Sequence, residues 1–172
     1  LQSILERFNP ARDLIIIHDT AMDTLDYTGR KFNQGSKAIL LGIGEPVRDL
    51  PVCYADGPLP GAEKIKPYCP GCLLASGPSY SGETGWGKII VEQAPPSLSN
   101  WPLVVLVDDV DLIKSQSDFL WSVFTRFDPV LDIYAPQEAR RNAIEYQLPI
   151  VIDARMKPEY PAALTAPRED IA

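Results

Sequence analysis

Two cysteines separated by two residues are the first candidates for chemistry in this sequence. Cys69-Pro70-Gly71-Cys72 has the spacing that lets two thiolates reach one metal ion, or form a redox disulfide near a helix start. A structural zinc site requires four ligands, and only Cys53 and the single His18 remain as soft donors, on separate segments. We therefore interpret Cys69 and Cys72 as packing thiols in a turn, with metal or redox use as the alternative.

Carboxylates that follow an apolar run are the second candidates. Asp108, Asp109 and Asp111 come after Leu103–Val107, and the carboxyl ends of strands in an α/β sheet are common ligand sites. Nothing nearby completes an acid–base pair, so we interpret Asp108 and Asp109 as backbone caps and Asp111 as a solvated residue. The alternative is a small enzyme with carboxylate chemistry at Asp108, Asp109 or Asp153.

A third polar group surrounds the end of another apolar run. His18 follows Leu14–Ile17, and Asp19, Asp23 and Asp26 come after it with a spacing that fits no standard metal loop. A histidine at a strand end is more often a polar cap than a general base. The sequence also has no nucleophile elbow, phosphate loop or dinucleotide fingerprint, so we predict no catalytic, cofactor-binding or metal residue.

Length, charge and hydropathy limit the class of protein. The 172 residues are 45% hydrophobic, which allows one buried core, and the formal charge of −7 argues against a nucleic-acid partner. The longest apolar runs are strand-sized, so we expect no membrane span. Three cysteines do not make a disulfide framework, and there is no secretory signal layout at Leu1–Leu5, so we expect a cytoplasmic protein.

A repeated element organises the chain. Residues 1–14 match residues 120–133 with six identities in fourteen positions, and both copies contain Arg-Phe-Asn/Asp-Pro. In the second copy, apolar residues with helical spacing from Phe119 to Phe127 predict an amphipathic helix with Asp118 as its N-cap. Pro129 should end that helix, so that a strand over Leu131–Tyr134 follows.

Strands and connections complete the predicted architecture. Trp101–Asp109 predicts a central strand, and Leu14–Ile17 predicts the strand of the first copy. The first copy begins within its helix, so we expect an upstream part to be missing. Residues 45–87 are rich in Pro and Gly, which predicts an ordered loop without long regular elements.

We therefore predict an α/β fold in which duplicated strand-helix-strand units pack as one pseudo-symmetric domain with a Pro/Gly-rich connecting loop. The predicted divisions are a truncated first copy (1–44), a connector (45–100), the second copy (101–160) and a fraying tail (161–172).

Three stretches of this chain resemble the C-terminal signature of the UbiD family of decarboxylases and carboxylases. They are Trp101–Asp109, Phe119–Pro129 and Val151–Pro158. The first copy resembles the same signature at Arg7–Asp13, Met22–Asp26 and Gly35–Lys37. The doubling departs from the single signature of the family and predicts a longer member.

The resemblance implies an activity, a cofactor and partners. UbiD-like enzymes act on aromatic or α,β-unsaturated acids with prenylated flavin mononucleotide. In that family the flavin, its metal ions and the catalytic residues belong to the N-terminal domain, whereas the C-terminal domain serves subunit association. The resemblance thus implies a non-catalytic assembly domain that is inactive alone, an upstream flavin-binding partner domain, and a homo-oligomer formed through apolar residues such as Trp121 and Phe124. The alternative is an independent small subunit that binds a metal or a small molecule at Cys69 and Cys72.

Overall fold

The computed structural model describes residues 1–29 and 31–161. The predicted tail 161–172 lies outside the described residues, except for Pro161. In the described part of the chain no helix has the length and apolar character that a membrane crossing requires.

The described residues form five helices and nine strands, which confirms a mixed α/β fold. The helices are α1 (Gln2–Leu5), α2 (Pro10–Asp13), α3 (Trp86–Gln93), α4 (Gln116–Phe124) and α5 (Pro129–Asp132). The strands are β1 (Leu14–Ala21), β2 (Gln34–Leu40), β3 (Lys64–Cys69), β4 (Cys72–Ser76), β5 (Leu103–Leu106), β6 (Ile133–Tyr134), β7 (Gln137–Arg140), β8 (Ala143–Tyr146) and β9 (Ile150–Asp153). Short 3₁₀ segments cover Pro96–Asn100 and Val110–Leu112.

A five-stranded sheet in the order β3-β4-β5-β9-β6 forms the centre of the molecule. Strands β4, β5 and β9 are parallel, and β3 and β6 pair with them antiparallel at the two edges. The central strand predicted within 101–109 is β5, and all four of its residues are buried. Such continuous apolar strands are expected where helices and loops cover both faces of a parallel sheet.

Two apolar clusters cover the two faces of this sheet. Strand residues alternate between them, since Val105 faces one cluster and its neighbours Val104 and Leu106 face the other. The first cluster contains apolar residues of both repeat copies, including Leu5 and Phe119. The second is built on α3 and the segment before β5 and contains Leu59, Trp86, Ile90, Leu98 and Trp101.

Two further sheets have two strands each. Strands β1 and β2 form one antiparallel pair, and β7 and β8 form the other. Helix α2 of the first copy contacts β8, and helix α5 of the second copy contacts β1 and β2. Each copy therefore packs its short helix against the two-stranded sheet that follows the other copy.

The repeat has the same local geometry in both copies. Asn9 and Asp128 have extended backbones, with φ/ψ of −109°/107° and −99°/114°, and the side chain of each accepts a hydrogen bond from the amide two residues later. A proline follows in each case as the first helical residue, a position that does not require its missing N–H. Four residues after each cap, Asp13 and Asp132 accept the amide hydrogen of the cap, at 2.8 Å and 2.7 Å.

Two predictions about elements of the second copy were wrong. Pro129 begins the short helix α5, because its fixed φ favours the first helical position, so strand β6 starts at Ile133 rather than Leu131. Asp118 is the third residue of α4, not its cap: Ser115 is the cap, and the two side chains bond each other's amides in a capping box.

The connector contains more regular structure than the predicted loop. Strands β3 and β4 and helix α3 all lie within 45–100, so this segment supplies two strands of the main sheet and a covering helix. Pro67 is tolerated because β3 is an edge strand, and Pro70 and Gly71 form the turn between β3 and β4.

Candidate functional site

Charged side chains gather where the three parallel strands end. Strands β4, β5 and β9 point the same way, so the residues after them meet at one edge of the sheet. We call this group the carboxyl-edge cluster; its members are Asp108, Arg126, Asp132, Asp153, Arg155 and Lys157.

Arg155 and Asp153 form a fully buried ion pair at the centre of the cluster. Both side chains are 0% exposed, and Arg155 donates Nε to Oδ1 and Nη2 to Oδ2 of Asp153 at 2.9 Å and 2.6 Å. The guanidinium also donates to the carbonyls of Pro78 and Glu83. It lies 5.1 Å from the ring centroid of Trp86. A planar guanidinium suits this combination of bidentate pairing and stacking.

Lys157 forms the second buried pair. Its ammonium donates to the carbonyl oxygens of Arg126 and Asp153, at 2.6 Å and 2.8 Å, and lies 3.1 Å from Oδ2 of Asp132. Two hydrogens of the ammonium are thus donated to carbonyl oxygens, and its charge is paired with the carboxylate of Asp132. The side chain therefore joins α5 of the second copy, the end of β9 and the segment after α4.

Burial raises the pKa of Asp132 to about 6, although Lys157 and the amide of Asp128 oppose that change. The carboxylate remains the acceptor for both of these donors. The turn at Pro129 fixes the position of the Asp132 side chain. Asp132 lies one helical turn after Asp128, which lets its carboxylate accept the amide hydrogen of Asp128.

The remaining pair is at the rim of the cluster. Arg126 donates to Asp108 at 2.9 Å, and Asp108 also accepts the amide of Met156 at 3.1 Å. Both side chains are partly exposed, so this pair stabilises less than the buried ones.

A serine of the first copy contacts the capping aspartate of the second. Ser36 on β2 is buried; its hydroxyl donates to Asp128 and accepts the amide of Val130, at 2.9 Å. These two hydrogen bonds join the two copies, because their partners are 92 and 94 positions apart in the sequence. The carboxyl-edge cluster is thus a network of protein groups bonded to one another, an arrangement that fixes geometry.

The predicted caps after β5 have mixed outcomes. Asp109 accepts the amide of Asp111, which confirms its role as a cap. Asp108 does cap a backbone amide, but that of Met156 on the distant β9 segment. Asp111 is exposed and pairs with Lys64. Of these three carboxylates only Asp108 belongs to the carboxyl-edge cluster with Asp153, and the two bond different partners: Asp108 bonds Arg126 and the amide of Met156, and Asp153 bonds Arg155.

The polar group around β1 divides into local turns. His18 is exposed on β1. Asp19 accepts a hydrogen bond from Gln34, Asp23 caps the amide of Leu25, and Asp26 caps Thr28. Among residues 1–29 and 31–161 no group of three or more His, Cys, Asp or Glu side chains is arranged to hold a metal ion.

Cys69 and Cys72 lie at the ends of β3 and β4 and pair directly across the turn. The redox interpretation expected them near the start of a helix, but they lie in a β-hairpin. Cys72 is buried, Cys69 is half-buried, and Cys53 is exposed on the preceding loop.

An open cleft of about 640 Å³ lies beside the carboxyl-edge cluster. The acidic side chains of Asp26, Asp128, Asp132 and Glu159 line it, together with Lys31 and Lys157. Lys157 already uses its hydrogens within the protein. An excess of carboxylates disfavours the phosphate of a flavin nucleotide, so this cleft does not fit that cofactor.

Sequence reasoning missed the most constrained side chains of the molecule, Arg155, Lys157 and Asp132. The pair of Lys157 with Asp132 joins segments that no local pattern relates, and so do the bonds of Arg155 to the carbonyls of Pro78 and Glu83. The identity of Asp13 and Asp132 in the repeat was the one available signal, because an acidic residue four positions after a capping residue can return to its amide.

Comparisons with known proteins bear on the family. Residues 1–42 match the model of the 3-octaprenyl-4-hydroxybenzoate carboxy-lyase C-terminal domain. A Chlamydia pneumoniae protein, named as a subunit of 4-hydroxybenzoate decarboxylase, is 45% identical over 163 residues, which are 94% of this chain and 27% of that protein. A Chlamydia trachomatis serovar D protein is 41% identical over 170 residues, 96% of this chain and 28% of that protein.

Among solved structures, a similar one is an evolved dimeric form of the UbiD-class enzyme HmfF from Pelotomaculum thermopropionicum in complex with prFMN. Its TM-score is 0.45 at 21% identity, over 65% of this chain and 25% of that one. The chain spans between a quarter and a third of the length of the curated relatives it matches. The family model and the curated relative confirm the predicted resemblance: this chain is similar to proteins of the UbiD family, and its residues 1–42 match the C-terminal domain of that family.

Proposed function

We propose that this chain is the C-terminal, non-catalytic assembly region of a UbiD-like decarboxylase or carboxylase that uses prenylated flavin mononucleotide on aromatic or α,β-unsaturated acids. The name of the Chlamydia pneumoniae relative supports this reaction class and favours 4-hydroxybenzoate as the first substrate to test. The flavin and its metal ions would be held by a flavin-binding domain outside this chain.

The observation that carries the assembly role is the apolar outer surface of α4. Trp121 and Phe124 are 63% and 62% exposed, and Leu120 beside them is 46% exposed. At the positions of the first copy that match Trp121 and Phe124 stand Gln2, which is polar, and Leu5, which is 0% exposed. Large aromatic side chains that remain exposed on one helix are typical of interface centres, where tryptophan is enriched.

The carboxyl-edge cluster supports a structural rather than catalytic role. Asp153, Arg155 and Lys157 bond protein groups and are buried, whereas a general acid or base must reach the substrate. We propose that this network holds the end of β9 against α5 and the segment after α4, and so keeps α4 in position.

We also propose that residues 1–44 and 101–160 pack as one pseudo-symmetric unit, with 45–100 as the connector and 161–172 as a tail. The reciprocal contacts of α2 with β8, and of α5 with β1 and β2, support this arrangement. The hydrogen bonds of Ser36 with Asp128 and Val130 support it as well.

Reconstitution tests the proposed role. The 172-residue chain is assayed with prenylated flavin mononucleotide and 4-hydroxybenzoate, alone and after mixing with the flavin-binding part of the parent enzyme. We expect no carbon dioxide release and no tight flavin binding by the chain alone, and restored or increased turnover in the mixture. Decarboxylation by the isolated chain, or tight binding of the flavin to it, would overturn the proposal.

A further inference from the structure

The turn between β3 and β4 holds two thiols in a defined relation. Cys69 and Cys72 are direct partners in the antiparallel register, with Pro70 and Gly71 between them. Gly71 has a φ of +77°, the conformation that the third position of a type II turn requires, and proline suits the position before it. Directly paired residues have Cα atoms roughly 4.5–5.5 Å apart, within the roughly 4.4–6.8 Å that a disulfide spans.

The surroundings hold this turn in place. The amide of Gly71 donates to the carbonyl of Pro51 at 3.0 Å, and its carbonyl accepts the amide of Leu103 at 3.2 Å. A side chain at Gly71 would meet Leu50 at 2.6 Å, so the turn is closely packed. The fold itself therefore keeps the two sulfurs near each other.

The two thiols differ in the way that an attacking and a resolving cysteine differ. Cys72 is 0% exposed, whereas Cys69 is half-buried at the mouth of the turn. The hydrogen bond from Cys72 lowers the pKa of Cys69 to about 7, and the same bond together with burial raises the pKa of Cys72. Cys69 is thus the more acidic of the two thiols, and the thiolate is the nucleophile in disulfide exchange.

We propose that Cys69 and Cys72 form a dithiol redox site, in which Cys69 attacks a small disulfide and Cys72 closes an intramolecular disulfide. The thiolate of Cys69 forms a bond to one sulfur of the small disulfide and expels the other as a thiolate. Cys72 then loses its proton to solvent and attacks the sulfur of Cys69, which expels the second small thiolate. The chain gives up two electrons and the small disulfide becomes two thiols.

Reaction of the folded chain with 4,4′-dithiodipyridine tests the site. A Cys53→Ser background removes the exposed third thiol, so that only the pair remains. We expect two pyridinethiones to be released per chain, an intact mass lower by two hydrogen atoms, and a peptide in which Cys69 and Cys72 are joined. Stable pyridyl adducts on both thiols, or no reaction in the folded chain, would overturn the proposal.

Two single-thiol variants assign the roles. With Cys72→Ser added, Cys69 should release one pyridinethione and retain a stable adduct. With Cys69→Ser added instead, buried Cys72 should react at least about tenfold more slowly, because its thiolate is disfavoured. Circular dichroism confirms that each variant is folded, and Cys72→Ala replaces Cys72→Ser if the serine prevents folding. Faster reaction at Cys72 than at Cys69 would contradict the assignment.

Discussion

The two copies of the repeat have the same turn but different partners for the same aspartate. Asp13 and Asp132 both accept the amide of the capping residue four positions earlier. In the first copy the cation beside the aspartate is its exposed neighbour Arg12, and the hydrogen bond from Arg12 lowers the pKa of Asp13. In the second copy Leu131 stands at that position, and the cation is the buried Lys157.

This difference separates what the local sequence determines from what the tertiary contacts determine. The local sequence determines the turn. In both copies the amide of the capping residue donates to the aspartate four residues later, and the proline between them begins the helix. The energetic importance of the turn depends on the tertiary partners: Asp132 pairs with the buried Lys157 from a distant segment, whereas Asp13 pairs with its exposed neighbour Arg12. The second copy should therefore be the more sensitive of the two.

Replacement of the two aspartates should separate the copies most strongly. Asp132→Ala leaves the ammonium of Lys157, which is 2% exposed, without its anionic partner, so we expect a loss of about 3–5 kcal/mol in the free energy of unfolding. Asp13→Ala removes a cap-type bond beside solvent-exposed Arg12, so we expect a loss of about 1 kcal/mol. Urea unfolding of both variants measures the difference, and equal losses would contradict the comparison.

Ser36 tests the bond between the copies. Ser36→Ala removes a buried hydroxyl that donates to Asp128 and accepts the amide of Val130, so we expect a loss of about 2 kcal/mol. Ser3→Ala on exposed α1 is the matched control and should change stability by less than about 0.5 kcal/mol. A loss at Ser36 no greater than at Ser3 would show that the copies do not depend on this contact.

The pH dependence of stability should differ in sign between the two aspartates. The raised pKa of Asp132, about 6, means that the folded chain binds a proton below pH 6 that the unfolded chain binds only near pH 4. Relative to Asp132→Asn, the wild type should therefore gain about 1 kcal/mol between pH 7 and pH 5. The pKa of Asp13 is lowered, which means that its ionised carboxylate stabilises the folded chain at any pH above the ordinary aspartate pKa. That contribution is lost only when the pH falls below this value. Unfolding curves of wild type, Asp132→Asn and Asp13→Asn between pH 7 and about pH 3 check both signs. A loss of stability from Asp132 between pH 7 and pH 5 would refute the assignment.

The smallest effect should come from the exposed cation of the first copy. The side chain of Arg12 is 65% exposed, so its ion pair is screened by solvent and we expect Arg12→Ala to leave the free energy of unfolding unchanged within measurement error. Lys157→Ala is the counterpart in the second copy and should cost several-fold more, because Asp132 is buried. Thermal unfolding of the pair gives the ratio, and comparable shifts would remove the distinction between the copies.

The sequence predicted the elements whose patterns are local. The apolar runs of β1 and β5 and the helical spacing of α4 were recognisable, and these three elements exist, although with different bounds. Strand β1 extends to Ala21, β5 is limited to Leu103–Leu106, and α4 begins at Gln116 and ends at Phe124. Strands β3 and β4 were hidden because Pro67, Pro70 and Gly71 are typical of loops, although an edge strand and a tight turn accept them. Pairs such as Lys157 with Asp132 depend on how distant segments meet, and no spacing in the sequence encodes that.

The exposed surface of α4 gives the most direct test of the assembly role, because only the second copy presents aromatic residues there. Sedimentation equilibrium of the chain over a wide concentration range should show reversible self-association. Trp121→Ala with Phe124→Ala should abolish it, whereas Gln2→Ala, at the position of the first copy that matches Trp121, should leave it unchanged. A wild-type chain that remains monomeric at high concentration would contradict the proposed role in subunit assembly.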